Sequence, residues 1–135
     1  MEAESVTNWE RRLKELFDEI DDELEDRYGP LFSIHPSRPR RGATSNKEHD
    51  GLFNVGASFS AGFGSQLGRG YVIDFDVVTL ETVPSTIKEQ IEHDVYLLVE
   101  ERIPRYFPSS TLRVGRDQSV IKIHGDIFRF KSGGE

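Results

Sequence analysis

No cysteine occurs anywhere in the 135 residues. That one absence removes disulfides, thiolate nucleophiles and cysteine-ligated zinc or iron–sulfur centres together. Any metal has to be held by oxygen or imidazole. Also missing is an apolar run approaching the ~20 residues of a membrane span, and the amino-terminal MEAESVTNWERRLKELF has no apolar signal core. The expectation is a cytoplasmic protein with no membrane partner. The four histidines, His35, His49, His93 and His124, are scattered, with no two at ligand spacing. Lys47-Glu48-His49-Asp50 puts three ligand types in a row, but chain neighbours converge on one ion only where a turn folds them together. No metal site is expected. Ser58, Ser60 and Ser65 have no base at a diagnostic spacing, so no nucleophilic constellation can be quoted either.

What is present is an uneven distribution of charge. The chain is net −7 overall. Residues 1–28 hold eleven acids against four bases, and residues 71–135 hold eleven against eight. Residues 35–70, by contrast, carry Arg38, Arg40, Arg41, Lys47 and Arg69 against Glu48 and Asp50, a net of +3, together with seven of the twelve glycines. Glycine lets backbone N–H groups approach a ligand and arginine supplies forked donors, so this stretch is the leading candidate for an anion site.

The periodicities define a fold class. Trp9, Leu13, Leu16, Phe17, Ile20 and Leu24 recur at three- and four-residue spacing, which predicts a first helix. Thr7 with Glu10 has the capping-box pattern for its start, and Gly29-Pro30 supplies its stop. Burying these six side chains would contribute on the order of 10 kcal/mol before entropy is subtracted. The acids between them, from Asp18 to Asp26, read as a solvated face. Pro30, Pro36 and Pro39 forbid regular helix in the segment that follows. Leu52–Ser60 alternates, with Phe53, Val55, Ala57 and Phe59 on one face, and Tyr71–Leu80 alternates with Tyr71, Ile73, Phe75 and Val77 on one face. A second helix is expected from about Pro84, with a stripe of Ile87, Ile91, Val95, Leu98, Val99 and Ile103, ending before Pro104. Short strands follow at Thr111–Val114, Ser119–His124 and Ile127–Lys131, separated by turn residues at 116–118 and 125–126.

The sum is one α+β domain over residues 1–131, in the order α-β-β-α-β-β with a possible further strand. Its antiparallel sheet of four to five strands carries two helices packed on one face. A basic Pro/Gly-rich loop (35–51) and a glycine-rich connection (61–70) lie inside the domain, and 132–135 is a flexible tail. The mix of elements is comparable to the K-homology RNA-binding domain, but the backbone-clamping G-x-x-G is absent. Neither the Walker lysine pattern nor a G-x-G-x-x-G opening a helix is present, so no cofactor is expected.

Three functional readings follow. In the first, a small binding module recognises an anionic small molecule or an acidic protein partner through Arg38, Arg40, Arg41, Lys47 and Arg69. RPRR with nearby Phe32, Phe53, Phe59 and Tyr71 extends this to a small, salt-sensitive nucleic-acid contact, although a pI near 5.1 argues against a broad phosphate-tracking surface. In the second, Asp74 and Asp76, two apart on one strand and so projecting from one face, act as acid/base pair or cation ligands on an anionic substrate. A third class is a pure interaction protein, with a homodimer covering an exposed sheet edge.

Overall fold

The computed structural model of the chain describes residues 2–62, 67–108, 112–117 and 120–125, with the side chains of 2–7, 9, 48 and 117 outside the description. Helix α1 runs Glu2–Tyr28, five residues ahead of the expected start. Glu2, Ala3 and Glu4 are strong helix formers with no breaker among them, and acids favour a helix's first turn, so the helix does not wait for Thr7. The capping-box residues therefore sit inside it. Leu13, Leu16, Phe17, Ile20 and Leu24 are buried as the spacing predicts, with Tyr28 completing the stripe; the Trp9 side chain lies outside the described residues. A 3-10 turn at Gly29–Leu31 ends the helix.

Strands β1 (Phe53–Ser60) and β2 (Gly70–Val77) form an antiparallel pair. Helix α2 (Ser85–Tyr106) follows, then β3 (Arg113–Asp117) and β4 (Val120–His124). The sheet order is β1-β2-β4-β3, and each neighbouring pair is antiparallel. Register places Phe53, Val55, Ile73, Ile121 and Ile123 on the face where both helices pack, and all five are buried. Cover thins along β1, so that Phe59, expected on this apolar face, is 53 % exposed and meets the Tyr71 ring edge to face.

Helix α2 runs past the expected stop at Pro104. The proline withdraws one donor, the N–H that would have reached the Glu100 carbonyl, but with only two helical residues after it any kink disturbs little, and the Phe107 N–H still closes onto the Ile103 carbonyl at 2.8 Å. The strand β3 likewise begins later than expected and continues through Asp117, so Arg116 and Asp117 of the expected turn are strand residues, and Gln118 lies outside the described residues. The expected strand Ile127–Lys131 and the tail 132–135 also lie outside the described residues. No helix among the described residues is long and apolar enough to cross a membrane.

The helices are joined by charge as well as by apolar contact. Arg102 of α2 donates to Glu19 at 3.0 Å and Glu23 at 2.6 Å, and the Tyr106 hydroxyl donates to Glu19 at 3.1 Å. Leu67 and Gly68, at the end of the glycine-rich connection, lie over the other face of the sheet. There Lys122, 2 % exposed, donates to the Gly68 carbonyl at 3.0 Å, and the Leu67 side chain stands above Gly115.

Two glycines of the sheet behave oppositely. A methyl on Gly70 would overlap the Ile123 carbonyl oxygen, whereas nothing lies within 4 Å of one on Gly56. Gly70→Ala should lower the free energy of unfolding by about 1–3 kcal/mol. Gly56→Ala should raise it by up to about 1 kcal/mol, because the unfolded chain loses more freedom than the strand does. Urea-denaturation midpoints measure both.

Candidate functional site

The loop of residues 32–52 is held against α1 by its own basic side chains. Pro36 and Pro39 supply no donors, and the chain doubles back through Gly51 N–H to the Pro39 carbonyl at 3.0 Å. Inside this reversal the Arg38 guanidinium donates to the carbonyls of Gly51 at 2.9 Å and of Asp50 and Phe53 at 3.0 Å each. Arg41 donates to Asp26 at 3.0 Å and Asp22 at 3.2 Å, and Lys47 pairs with Asp22 at 3.0 Å. Burial alone would raise the Asp22 carboxyl, but the Lys47 and Arg41 bonds outweigh it and hold the group below its ordinary range. Asp50 behaves similarly. Its buried carboxylate accepts from the Thr44 N–H at 2.9 Å and hydroxyl at 2.8 Å, and these bonds override the effect of burial and lower its pKa.

The five predicted cations therefore do not converge. Arg38, Arg41 and Lys47 engage the protein's own backbone and acids, and Arg40 is exposed. Arg69 adjoins the Ser60–Gly70 end of the β1–β2 ladder, whereas Arg38 grips its Phe53 end. Seven residue steps at about 3.3 Å separate those ends by roughly 23 Å. The acids of α1 are correspondingly less solvated than their spacing suggested. Glu25 is buried and accepts the Phe53 N–H at 2.9 Å. Asp21 is 4 % exposed, and its Oδ2 has no partner among the described residues. Burial, then the neighbouring carboxylates of Glu25, Asp22 and Asp18, push the Asp21 pKa up to about 8 against the opposing pull of Lys47.

Asp74 and Asp76 project from the outer face of β2, as the alternation required, and both are exposed. They border a cleft of about 610 Å³. It exists because β4 pairs with β2 only from Gly70 to Ile73, leaving Asp74–Val77 with β1 alone as a strand neighbour among the described residues. Phe75, Val77, Val83 and Ile121 provide apolar lining, and the 79–83 loop and the start of α2 form the opposite wall. That wall adds Glu81, Glu89 and Glu92 to the two aspartates, with Lys88 the one basic side chain in the lining. Glu92 is partly neutralised by Arg116 at 3.0 Å, whose guanidinium also lies over the Tyr96 ring at 5.3 Å. Sequence reasoning missed the three glutamates. The i, i+3 spacing of Glu89 and Glu92 on a helix was the available signal. Among the described residues no three His, Asp or Glu side chains are grouped to hold a metal. The arrangement suits a cationic ligand lying along the cleft better than a chelated ion.

Two consequences are measurable. Asp21 keeps its proton in the folded protein up to about pH 8 but loses it near the ordinary carboxylate range when unfolded. The folded state then binds more protons between those values, so this group's stabilising contribution fades as pH rises through that window. Asp21→Asn should raise Tm, by a margin that widens up to about pH 8 and is constant above it. Arg38→Ala should cost about 2–3 kcal/mol, because it strands partly buried carbonyls, while Arg40→Ala should change stability by less than about 0.5 kcal/mol. Chemical denaturation of the two variants distinguishes a structural arginine from a surface one.

A protein family described as "Uncharacterised protein" matches residues 4–125. An uncharacterized protein of Borreliella burgdorferi is 34 % identical over 128 residues, covering 95 % of this chain and all of that protein. No solved structure matches significantly. With a match that takes in both helices and all four described strands, this chain belongs to that uncharacterised family.

Proposed function

We propose that the protein is a cytoplasmic accessory binding module whose recognition surface is the acidic cleft along the second half of β2, and that its ligand is a cationic segment of a partner macromolecule. The observation that carries this reading is the lining itself: five carboxylates, one lysine and an apolar floor in a cleft of about 610 Å³. Charges of one sign gathered on a concave wall steer an oppositely charged partner inward and disfavour anionic ones. The apolar floor supplies the non-polar contact that charge alone does not.

The basic loop is the weaker candidate on energetic grounds. An anion competing for Arg41 or Lys47 must displace Asp22 and Asp26, which already sit at bonding distance, and Arg38 is committed to three carbonyls. A ligand arriving there trades one ion pair for another and gains little. The cleft carboxylates hold no comparable set of internal partners: Glu81 accepts the Ser33 N–H at 2.8 Å and Glu92 pairs with Arg116, and no further such contact is recorded for the cleft acids among the described residues.

Hexalysine titrated into the protein at low ionic strength should give saturable calorimetric binding that weakens with salt, since exposed charges are screened over about 8–10 Å at physiological ionic strength. The double reversal Asp76→Lys and Glu89→Lys should reduce that affinity at least about tenfold with Tm nearly unchanged, both side chains being exposed. If hexalysine does not bind, and pyrophosphate does in a manner lost with Arg40→Ala, the loop reading replaces this one.

A further inference from the structure

We infer that the cleft takes its ligand by strand addition: an extended segment of alternating basic and apolar residues pairs with the free edge of β2 at Asp74–Val77. This rests on the reading of the cleft as the binding surface and names the class of partner it selects.

The backbone supplies the argument. The Val78 N–H donates to the Leu52 carbonyl at 2.7 Å, continuing the register in which Phe53 faces Val77. In an antiparallel ladder, residues alternate between exchanging hydrogen bonds with one neighbour and turning away from it. The even-numbered residues of β2 therefore bond to β1, and the odd-numbered ones direct N–H and C=O to the other side. Tyr71 and Ile73 meet Ile123 and Ile121 of β4 there. Phe75 and Val77 have the same orientation but lie beyond the end of the β2–β4 ladder. The Val77 carbonyl accepts from the Thr79 N–H at 3.0 Å. The Phe75 N–H and C=O and the Val77 N–H have no recorded partner among the described residues. They form a short row of strand-edge groups opening into the cleft, the arrangement that another chain completes.

The same register dictates the ligand's side chains. A residue paired with Phe75 projects to the face that Phe75 shares with Val77, which is apolar. Its neighbours, opposite Asp74 and Asp76, project to the outer face beside those carboxylates, where lysine or arginine is favoured. The free stretch is four residues, about 13 Å long, so a basic–apolar–basic triplet fills it. A helical ligand cannot complete this edge, because its own backbone groups are already paired, and a polyamine has no peptide groups to offer.

The test uses an acetylated and amidated pentapeptide, Val-Lys-Val-Lys-Val, at low ionic strength. Methylating the amide nitrogens of its valines removes the donors that would face β2, and methylating those of its lysines removes donors that would face away. The inference expects the valine-methylated peptide to bind at least about tenfold more weakly and the lysine-methylated one within about twofold of the parent peptide. It also expects the Phe75 and Val77 amides to gain protection from hydrogen exchange in the complex. Equal affinity for both methylated peptides, or protection appearing on β1 or β3 instead, overturns strand addition while leaving a cation-binding cleft standing. Failure of the pentapeptide and hexalysine alike removes the cleft reading as well.

Discussion

The guanidinium of Arg38 ties the proline-containing loop to the start of β1. Asp50, Gly51 and Phe53 lie where the chain leaves an irregular loop and enters β1, and their carbonyls need donors that no strand provides. Two prolines in the loop add none. One rigid five-donor side chain serves all three, a task suited to arginine's planar fork and poorly matched by lysine's single ammonium. Where Arg38 sits determines where Phe53 sits, and Phe53 begins both the core and the β1–β2 register.

Around that anchor the charges of the chain sort themselves. The acids of α1 serve both its neighbours: Glu19 and Glu23 take Arg102 of α2, Asp22 and Asp26 take the loop's Arg41 and Lys47, and Glu25 takes a strand-end N–H. Exposed pairs of this kind contribute little each, but together they leave the loop's positive charge neutralised from within. Asp21, enclosed by the same seam, has its pKa raised first by burial and then by the carboxylates around it. A second group of acids borders the cleft, and it arrives from three separate parts of the chain: β2, the 79–83 loop and α2.

The cleft follows from a mismatch in strand length. An eight-residue strand beside a five-residue one leaves part of its edge without a ladder among the described residues, and sheets ordinarily protect such an edge with charge. Asp74 and Asp76 on the outer face of β2 have the right placement for that protective role. Under the strand-addition proposal the same two carboxylates would favour a basic strand, because a negative charge repels an acidic edge and attracts a cationic one.

Much of the fold was legible in the sequence because its signals are local. The stripe from Leu13 to Leu24, the stripe from Ile91 to Ile103 and the alternation at Phe53–Val55 and Ile73–Val77 each follow from a period that neighbouring residues impose on one another. Boundaries were less legible where competing effects nearly balanced, as at Thr7, where a cap signal lost to good helix formers upstream, and at Pro104, which costs little so near a helix end. The projection of Asp74 and Asp76 from one face was also readable, because it depends only on strand geometry. Which charges remain available to a partner was decided by the tertiary structure. Arg41 and Asp26 are 15 residues apart, and Arg41 and Asp22 are 19 apart. No composition or spacing rule reports that they meet, since Coulomb attraction depends on distance in space rather than along the chain. Arg41 and Lys47 are thus taken up by the acidic helix, and among the described residues the edge of β2 at Asp74–Val77 lies beyond the last β2–β4 pair.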